Sequence, residues 1–119
     1  MHTIRKVVIA PRVVTTLAGV AGMAGSADGT GTAARFSFPR GVAVDGAGKL
    51  YVADSANQTI RQIGLANGDM TTLVGVRGRS GVQPGPLPAS LSQPYGIAAS
   101  PAGLLYLTDF TENAVLEVR

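Results

Sequence analysis

Short apolar segments separated by turn residues run through the middle of the chain and predict four antiparallel β-strands. The segments are residues 41–44, 49–54, 59–64 and 70–75. Asp-Gly-Ala-Gly at residues 45–48 separates the first two segments, and Asn67-Gly68 separates the last two. Both runs supply residues that accept the positive φ angles of tight hairpins. The pattern therefore predicts a small meander of four strands.

The second segment is apolar at consecutive positions. Leu50, Tyr51, Val52 and Ala53 follow one another, so apolar side chains must project from both faces of this strand. That pattern is typical of a sheet covered on both sides. We therefore expect the meander to pack between two other layers.

The same pattern recurs along the chain. Residues 39–63 return in diverged form at residues 94–118, with an offset of 55 (Pro39 to Pro94), and residues 3–19 match residues 59–75 with an offset of 56 (Thr3 to Thr59). A period of this length indicates a repeat architecture in which each unit is one small sheet.

The middle repeat reads PRGVAVDGAGKLYVADSANQTIRQI, and it resembles the NHL-repeat family of β-propellers in its long-loop bacterial form. The resemblance implies an all-β fold in which blades of four antiparallel strands are arranged radially, usually six to a ring. The last repeat departs from the pattern, with Ser100 in place of Asp45, Glu112 in place of Asn57 and Leu116 in place of Arg61.

The repeat boundaries divide one propeller segment, residues 1–119, into five parts. We expect residues 1–19 to be the late part of one blade, 39–75 a complete blade, 94–119 the first three strands of the next blade, and 20–38 and 76–93 the inter-blade loops.

Composition argues against most kinds of catalytic site. The chain has no Cys, and its one histidine is His2. It therefore lacks the ligands of a thiolate or catalytic zinc site, and no second histidine could serve a Ser–His–Asp set. We expect no catalytic residue, no metal and no cofactor.

The chain also has no apolar run long enough to span a membrane. Its basic N-terminus is followed by an apolar run that Pro11 and Arg12 interrupt, so we interpret it as a strand and not as a signal peptide. The expected location is the cytoplasm, without a membrane partner.

Two groups of residues are the candidates for a site. The residues that recur with the repeat have expected structural roles, and they are Gly41, Asp54, Asn57, Arg61, Gly96 and Asp109. For Asp54 and Asp109 we favour acceptance of backbone N–H groups from their own turns over a ring of carboxylates that binds a cation. Arg61 is expected to form a salt bridge or to stack between blades.

The second group is a ligand surface. Both inter-blade loops join a fourth strand to the next first strand, so we expect them to lie on one face. A groove on that face would be lined by Arg35, Arg40, Arg77, Arg79 and Tyr95. The net charge of +3 is spread along the chain, and solvated charge is the simpler interpretation of most of these arginines.

Three classes of function stay open. We favour a non-enzymatic binding scaffold with a protein or small-ligand partner. Single-stranded RNA binding is the first alternative, because Arg40, Tyr95 and Phe110 place aromatic beside basic residues. The second alternative is a hydrolase or lyase with its active site at the channel mouth, which the missing His and Cys residues disfavour.

The strand count predicts self-assembly. The chain holds about two repeats, too few for a repeat stack, and the last repeat lacks a fourth strand while residues 13–18 form an unattached one. We expect a cyclic homotrimer that shares strands between subunits to complete one six-bladed ring. Residues 1–9 are then surplus and should be displaced, frayed or an added edge.

Overall fold

A computed structural model describes residues 2–82 and 85–118. The described residues form antiparallel strands in three sheets, with short 3₁₀ turns at Gly31–Ala33 and Ser55–Asn57. The strands are β1 (Thr3–Val8), β2 (Val13–Gly19), β3 (Gly29–Thr30), β4 (Pro39–Val44), β5 (Lys49–Asp54), β6 (Thr59–Gly64), β7 (Asp69–Val74), β8 (Pro94–Ala99), β9 (Leu105–Asp109) and β10 (Ala114–Val118).

The first sheet is β1–β2, the middle sheet runs β3–β7–β6–β5–β4, and the third runs β10–β9–β8. The all-β prediction is confirmed, and β5 and β6 begin and end at the predicted residues. Within the described part of the chain, no helix is long and apolar enough to cross a membrane.

Strand registers reproduce the sequence repeat. Arg5 lies opposite Thr16 in the first sheet as Arg61 lies opposite Thr72 in the middle sheet, and the register shifts immediately before each arginine. The β8–β9 pair likewise has the register of the β4–β5 pair, with Pro94 opposite Asp109 as Pro39 lies opposite Asp54. The first and third sheets are therefore partial copies of the middle one.

The central strands of the middle sheet, β5 and β6, are buried on both faces, as the run of apolar residues in β5 predicts. Leu50 and Val52 face the first sheet, whereas Tyr51 and Ala53 face the third. The core on the first side also contains Ile4, Ala18, Ala34, Phe36, Ile63 and Met70. The core on the second side also contains Ile60, Val74, Leu91, Leu105 and Leu107. Phe36 and Leu91, which occupy equivalent places before β4 and β8, each fill one core.

The turn between β4 and β5 is organised by Asp45. Its Oδ1 accepts the backbone N–H groups of Ala47 (2.8 Å) and Lys49 (3.0 Å), and its Oδ2 accepts the hydroxyl of Tyr51 (2.9 Å). The bond from the Lys49 N–H is the main cause that lowers the pKa of Asp45. Gly48 adopts a φ of 82°, which the Asp-Gly-Ala-Gly sequence allows.

The connection formed by residues 20–38 departs from its expected position on one face. It leaves β2 and enters β4 at the same end of the sheets, which we call the loop end. Its middle forms β3, which pairs with β7 and extends the outer edge of the middle sheet. Thr30 lies opposite Asp69, close to the Asn67-Gly68 turn at the other end. The connection therefore runs the length of the blade.

The first and third sheets each leave apolar side chains exposed on one face. Val7 and Val14 in the first sheet are 63% and 54% exposed, and Val115 on β10 is 75% exposed. β10 pairs with β9 on one edge, and no other described strand pairs with it. β1 is paired with β2 along its length and Ile4 is buried, so Thr3–Val8 is not frayed here, while Met1 lies outside the described residues.

Gly41 lies where the first strands of neighbouring sheets approach most closely. A Cβ atom at this position would overlap the backbone carbonyl oxygen of Tyr95 on β8. Glycine is therefore required by a close backbone approach.

We predict that Gly41→Val lowers the free energy of unfolding by roughly 1–3 kcal/mol or more, because the branched side chain must displace β8. Gly46→Val is the matched control, since a Cβ there meets no atom within 4 Å. Urea unfolding of both variants measures the difference. Equal stability of the two variants would show that β8 can move away at little cost.

Candidate functional site

The guanidinium of Arg61 is buried on β6, with the side chain 1% exposed. Its Nη1 lies 2.8 Å from Oδ2 of Asp54, and its Nη2 lies 2.7 Å from Oδ1 of Asp28. The same two nitrogens donate to the backbone carbonyl oxygens of Ser26, Ala27 and Arg35. Arg61 thus joins the middle sheet to the connection that precedes it.

Asp54 is the partner of Arg61 at the end of β5 and is fully buried. Its Oδ1 accepts the backbone N–H of Ser37 (2.8 Å), and its Oδ2 accepts the side-chain amide of Asn57 (2.7 Å) as well as Arg61. Burial raises the pKa of Asp54, and the three donors oppose that rise. The donors come from the preceding connection and from side chains. The expectation that Asp54 accepts backbone N–H groups from its own turn is therefore wrong, since its side chain makes no cap bond to the backbone of Ser55–Asn57.

Asn57 completes this network. Its buried side-chain amide donates to Asp54 and also to the carbonyl oxygen of Gly25 (2.6 Å). Asp54, Asn57 and Arg61 therefore bind one connection at several points, and among the atoms of Arg61 both terminal nitrogens are engaged with protein groups.

Asp109 occupies the equivalent place in the third sheet with a different set of donors. It accepts backbone N–H groups from Ser92 (2.7 Å), Gln93 (3.1 Å) and, in its own turn, Glu112 (3.3 Å). No arginine of the described residues joins it, and Leu116 stands at the position of Arg61. Among the described residues no three His, Cys, Asp or Glu side chains cluster as metal ligands would.

Arg40, Tyr95 and Phe110 form one exposed stack beside the starts of β4 and β8. The guanidinium of Arg40 lies 4.6 Å from the ring centroid of Tyr95. The Tyr95 ring stacks on Phe110 with 4.8 Å between centroids and 13° between planes, and Phe110 is 63% exposed. A flat aromatic surface that ends in a cation can hold planar or electron-rich groups.

The other predicted surface arginines do not join this stack. Arg35 donates to the carbonyl oxygens of Thr32 and Ala34 on its own connection. Arg77 and Arg79 line two different cavities. Of the five residues predicted for a groove, the structure thus brings Arg40 and Tyr95 into contact. Phe110 is the third member of the stack. The sequence indicates it only as an aromatic residue for RNA binding, because its contact with Tyr95 cannot be read from their spacing.

We predict that Arg61→Met lowers the free energy of unfolding by about 3–5 kcal/mol, because it leaves the carboxylate of Asp54 buried without its cation. Arg5→Met is the matched control, since Arg5 holds the same repeat position but is exposed. The midpoint of urea unfolding measures both changes. Similar losses in the two variants would mean that the buried pair contributes nothing beyond packing.

Comparison with known proteins gives a match to one repeat and a shared fold. The family model of the NHL repeat matches residues 36–63. The Arabidopsis thaliana protein SUPPRESSOR OF QUENCHING 1, chloroplastic, is 40% identical over 91 residues, which are 76% of this chain and 8% of that protein. The chain therefore matches a small part of this relative.

Solved structures from Bacteroides share the fold. A protein of unknown function from Bacteroides thetaiotaomicron superposes with a TM-score of 0.89 at 23% identity, over 98% of this chain and 29% of its own. Proteins described as auxiliary nutrient binding proteins, from Bacteroides ovatus and Bacteroides thetaiotaomicron, give TM-scores of 0.82 and 0.80 at 23% and 22% identity. The chain covers 32% of each. The chain thus carries an NHL repeat at residues 36–63, and it shares its fold with these solved structures.

Proposed function

We propose that the chain is a binding scaffold whose blades join further blades in a propeller ring and present the loop end to a protein or small-molecule partner. The exposed stack of Arg40, Tyr95 and Phe110 carries the binding part of this proposal, because no core requires an aromatic surface there. Two structural neighbours described as nutrient binding proteins support the same role.

The exposed outer sheets carry the assembly part. Val7 and Val115 leave apolar surface open on opposite sides of the molecule, and an open apolar face with a free strand edge favours association. For the 119-residue chain, we propose that the covering blades are copies of itself. Such a head-to-tail contact closes into a ring when the rotation is right.

The equivalence between the repeats suggests which strands of two copies would pair. β10 is a third strand and β2 is a fourth strand, so β2 of one copy can add to the free edge of β10 in another. Leu116 would then lie opposite Thr16 of the next copy, as Arg61 lies opposite Thr72 within the middle sheet. In this arrangement β10 takes the place that β1 holds beside β2 in the isolated chain.

The number of subunits follows from the blade count. Each chain contributes about two blades, so a ring of the six blades usual in the family takes about three chains.

Light scattering at micromolar concentration tests the assembly. We predict a mass three times the 12.1 kDa of one chain, and loss of the ring when residues 1–19 are deleted, because β2 is then absent. A well-folded monomer would contradict the proposal, and a tetramer would replace the six-bladed ring with an eight-bladed one.

Single-stranded RNA is a second candidate partner. The stack of Arg40, Tyr95 and Phe110 favours it, because nucleobases stack on exposed aromatic rings beside a cation. Fluorescence anisotropy with labelled RNA at low salt separates the candidates. Binding that weakens with salt and with Tyr95→Ala supports RNA, whereas no binding at low salt removes it.

A further inference from the structure

A cavity of about 350 Å³ opens at the loop end of the middle sheet. Its floor is formed by Thr59 and Arg61 on β6 and by Thr72 on β7. The connections on either side complete its walls with Ser26, Asn57, Gly75, Val76, Arg77 and Pro88. This volume is at the lower end of the range of small-molecule sites.

Two buried polar atoms in the cavity-lining residues lack a hydrogen-bond partner among the described residues, namely Oγ1 of Thr59 and Nε of Arg61. Thr59 is 3% exposed and Arg61 is 1% exposed. Buried polar groups in folded proteins are almost always hydrogen-bonded. The remaining nitrogens of Arg61 are all engaged, so its Nε–H is a donor that the protein itself leaves for another group.

The two atoms define what that group must be. Thr59 and Arg61 are two residues apart on one strand, so their side chains lie on the same face with Cα atoms roughly 6–7 Å apart. The Nε–H of Arg61 requires an acceptor, whereas the Thr59 hydroxyl can donate or accept. A ligand hydroxyl satisfies both requirements.

Arg77 adds a charge requirement at the mouth of the cavity. It is exposed and forms no ion pair with any described residue. Arg61 is paired with both Asp54 and Asp28, so Arg77 is the cation of this site that is available to pair with a ligand. The guanidinium fork matches the two oxygens of a carboxylate.

We propose that this cavity binds a small hydroxycarboxylate. The ligand hydroxyl accepts from Nε of Arg61 and bonds with Oγ1 of Thr59, and the carboxylate pairs with Arg77. The site shares no residue with the stack of Arg40, Tyr95 and Phe110, so it is a second site beyond the one proposed above. It does not depend on ring closure, because its lining residues all come from one chain.

NMR titration of ¹⁵N-labelled protein with glycerate tests the site directly, because the Nε–H of Arg61 gives its own signal. We expect glycerate to shift the Arg61 Nε–H signal and the amide signals of Thr59 and Arg77 with saturation. Glycerol, which lacks the carboxylate, and acetate, which lacks the hydroxyl, should each bind at least about tenfold more weakly.

Variants assign the two contacts. Thr59→Val and Arg77→Gln should each weaken glycerate binding about tenfold. Thr71→Val and Arg79→Gln are matched controls that remove a hydroxyl and a charge outside the cavity, and they should leave the affinity unchanged. If Thr59→Val lowers the melting temperature, Arg77→Gln still decides, because Arg77 is exposed.

Failure of this site and failure of the scaffold are distinguishable. No saturable shift with glycerate overturns the proposed site whatever the oligomeric state. Equal effects of Arg77→Gln and Arg79→Gln also overturn it, since they would indicate general attraction of an anion. Glycerate binding to a monomeric chain would support the site and contradict the ring.

Discussion

The structure depends on one constraint, that a sheet with apolar side chains on both faces needs cover on both sides. Leu50 and Val52 face one way along β5 and Tyr51 and Ala53 the other, and the middle blade is covered by a neighbouring sheet on each side. Each flanking sheet is covered on one side only, and Val7 and Val115 are exposed on the uncovered sides. A radial array satisfies the constraint for every blade, because each sheet covers the next around a closed ring.

A buried cation fixes the path between blades. Arg61 has one carboxylate partner on its own sheet and one on the preceding connection, and a buried charge without such partners is costly. The connection is therefore held against β6 while Phe36 fills the core beside it. Where Leu116 replaces the arginine, Asp109 is satisfied by backbone N–H groups instead. The two repeats thus keep the carboxylate and differ in what surrounds it.

The sequence predicted the strands that are marked by the 55- to 56-residue repeat and by turn residues. β5 and β6 begin and end where expected, because Asp-Gly-Ala-Gly and Asn67-Gly68 mark their limits. β3 was missed, since two residues carry no alternation and their position is set by pairing with β7, about 40 residues away in sequence. The contact of Tyr95 with Phe110 and the unpaired atoms of Thr59 and Arg61 were equally invisible, because they arise only when distant segments meet.

Disulfide trapping tests ring closure most directly, and the chain has no native cysteine to interfere. In the double variant Thr16→Cys/Leu116→Cys, β2 of one copy beside β10 of the next would place the two Cα atoms about 4.5–5.5 Å apart, within reach of a disulfide. Within one chain the middle sheet lies between these strands. The account predicts covalently linked species of up to three chains on oxidation, which neither single variant forms. Oxidised protein that stays as unlinked single chains would contradict it.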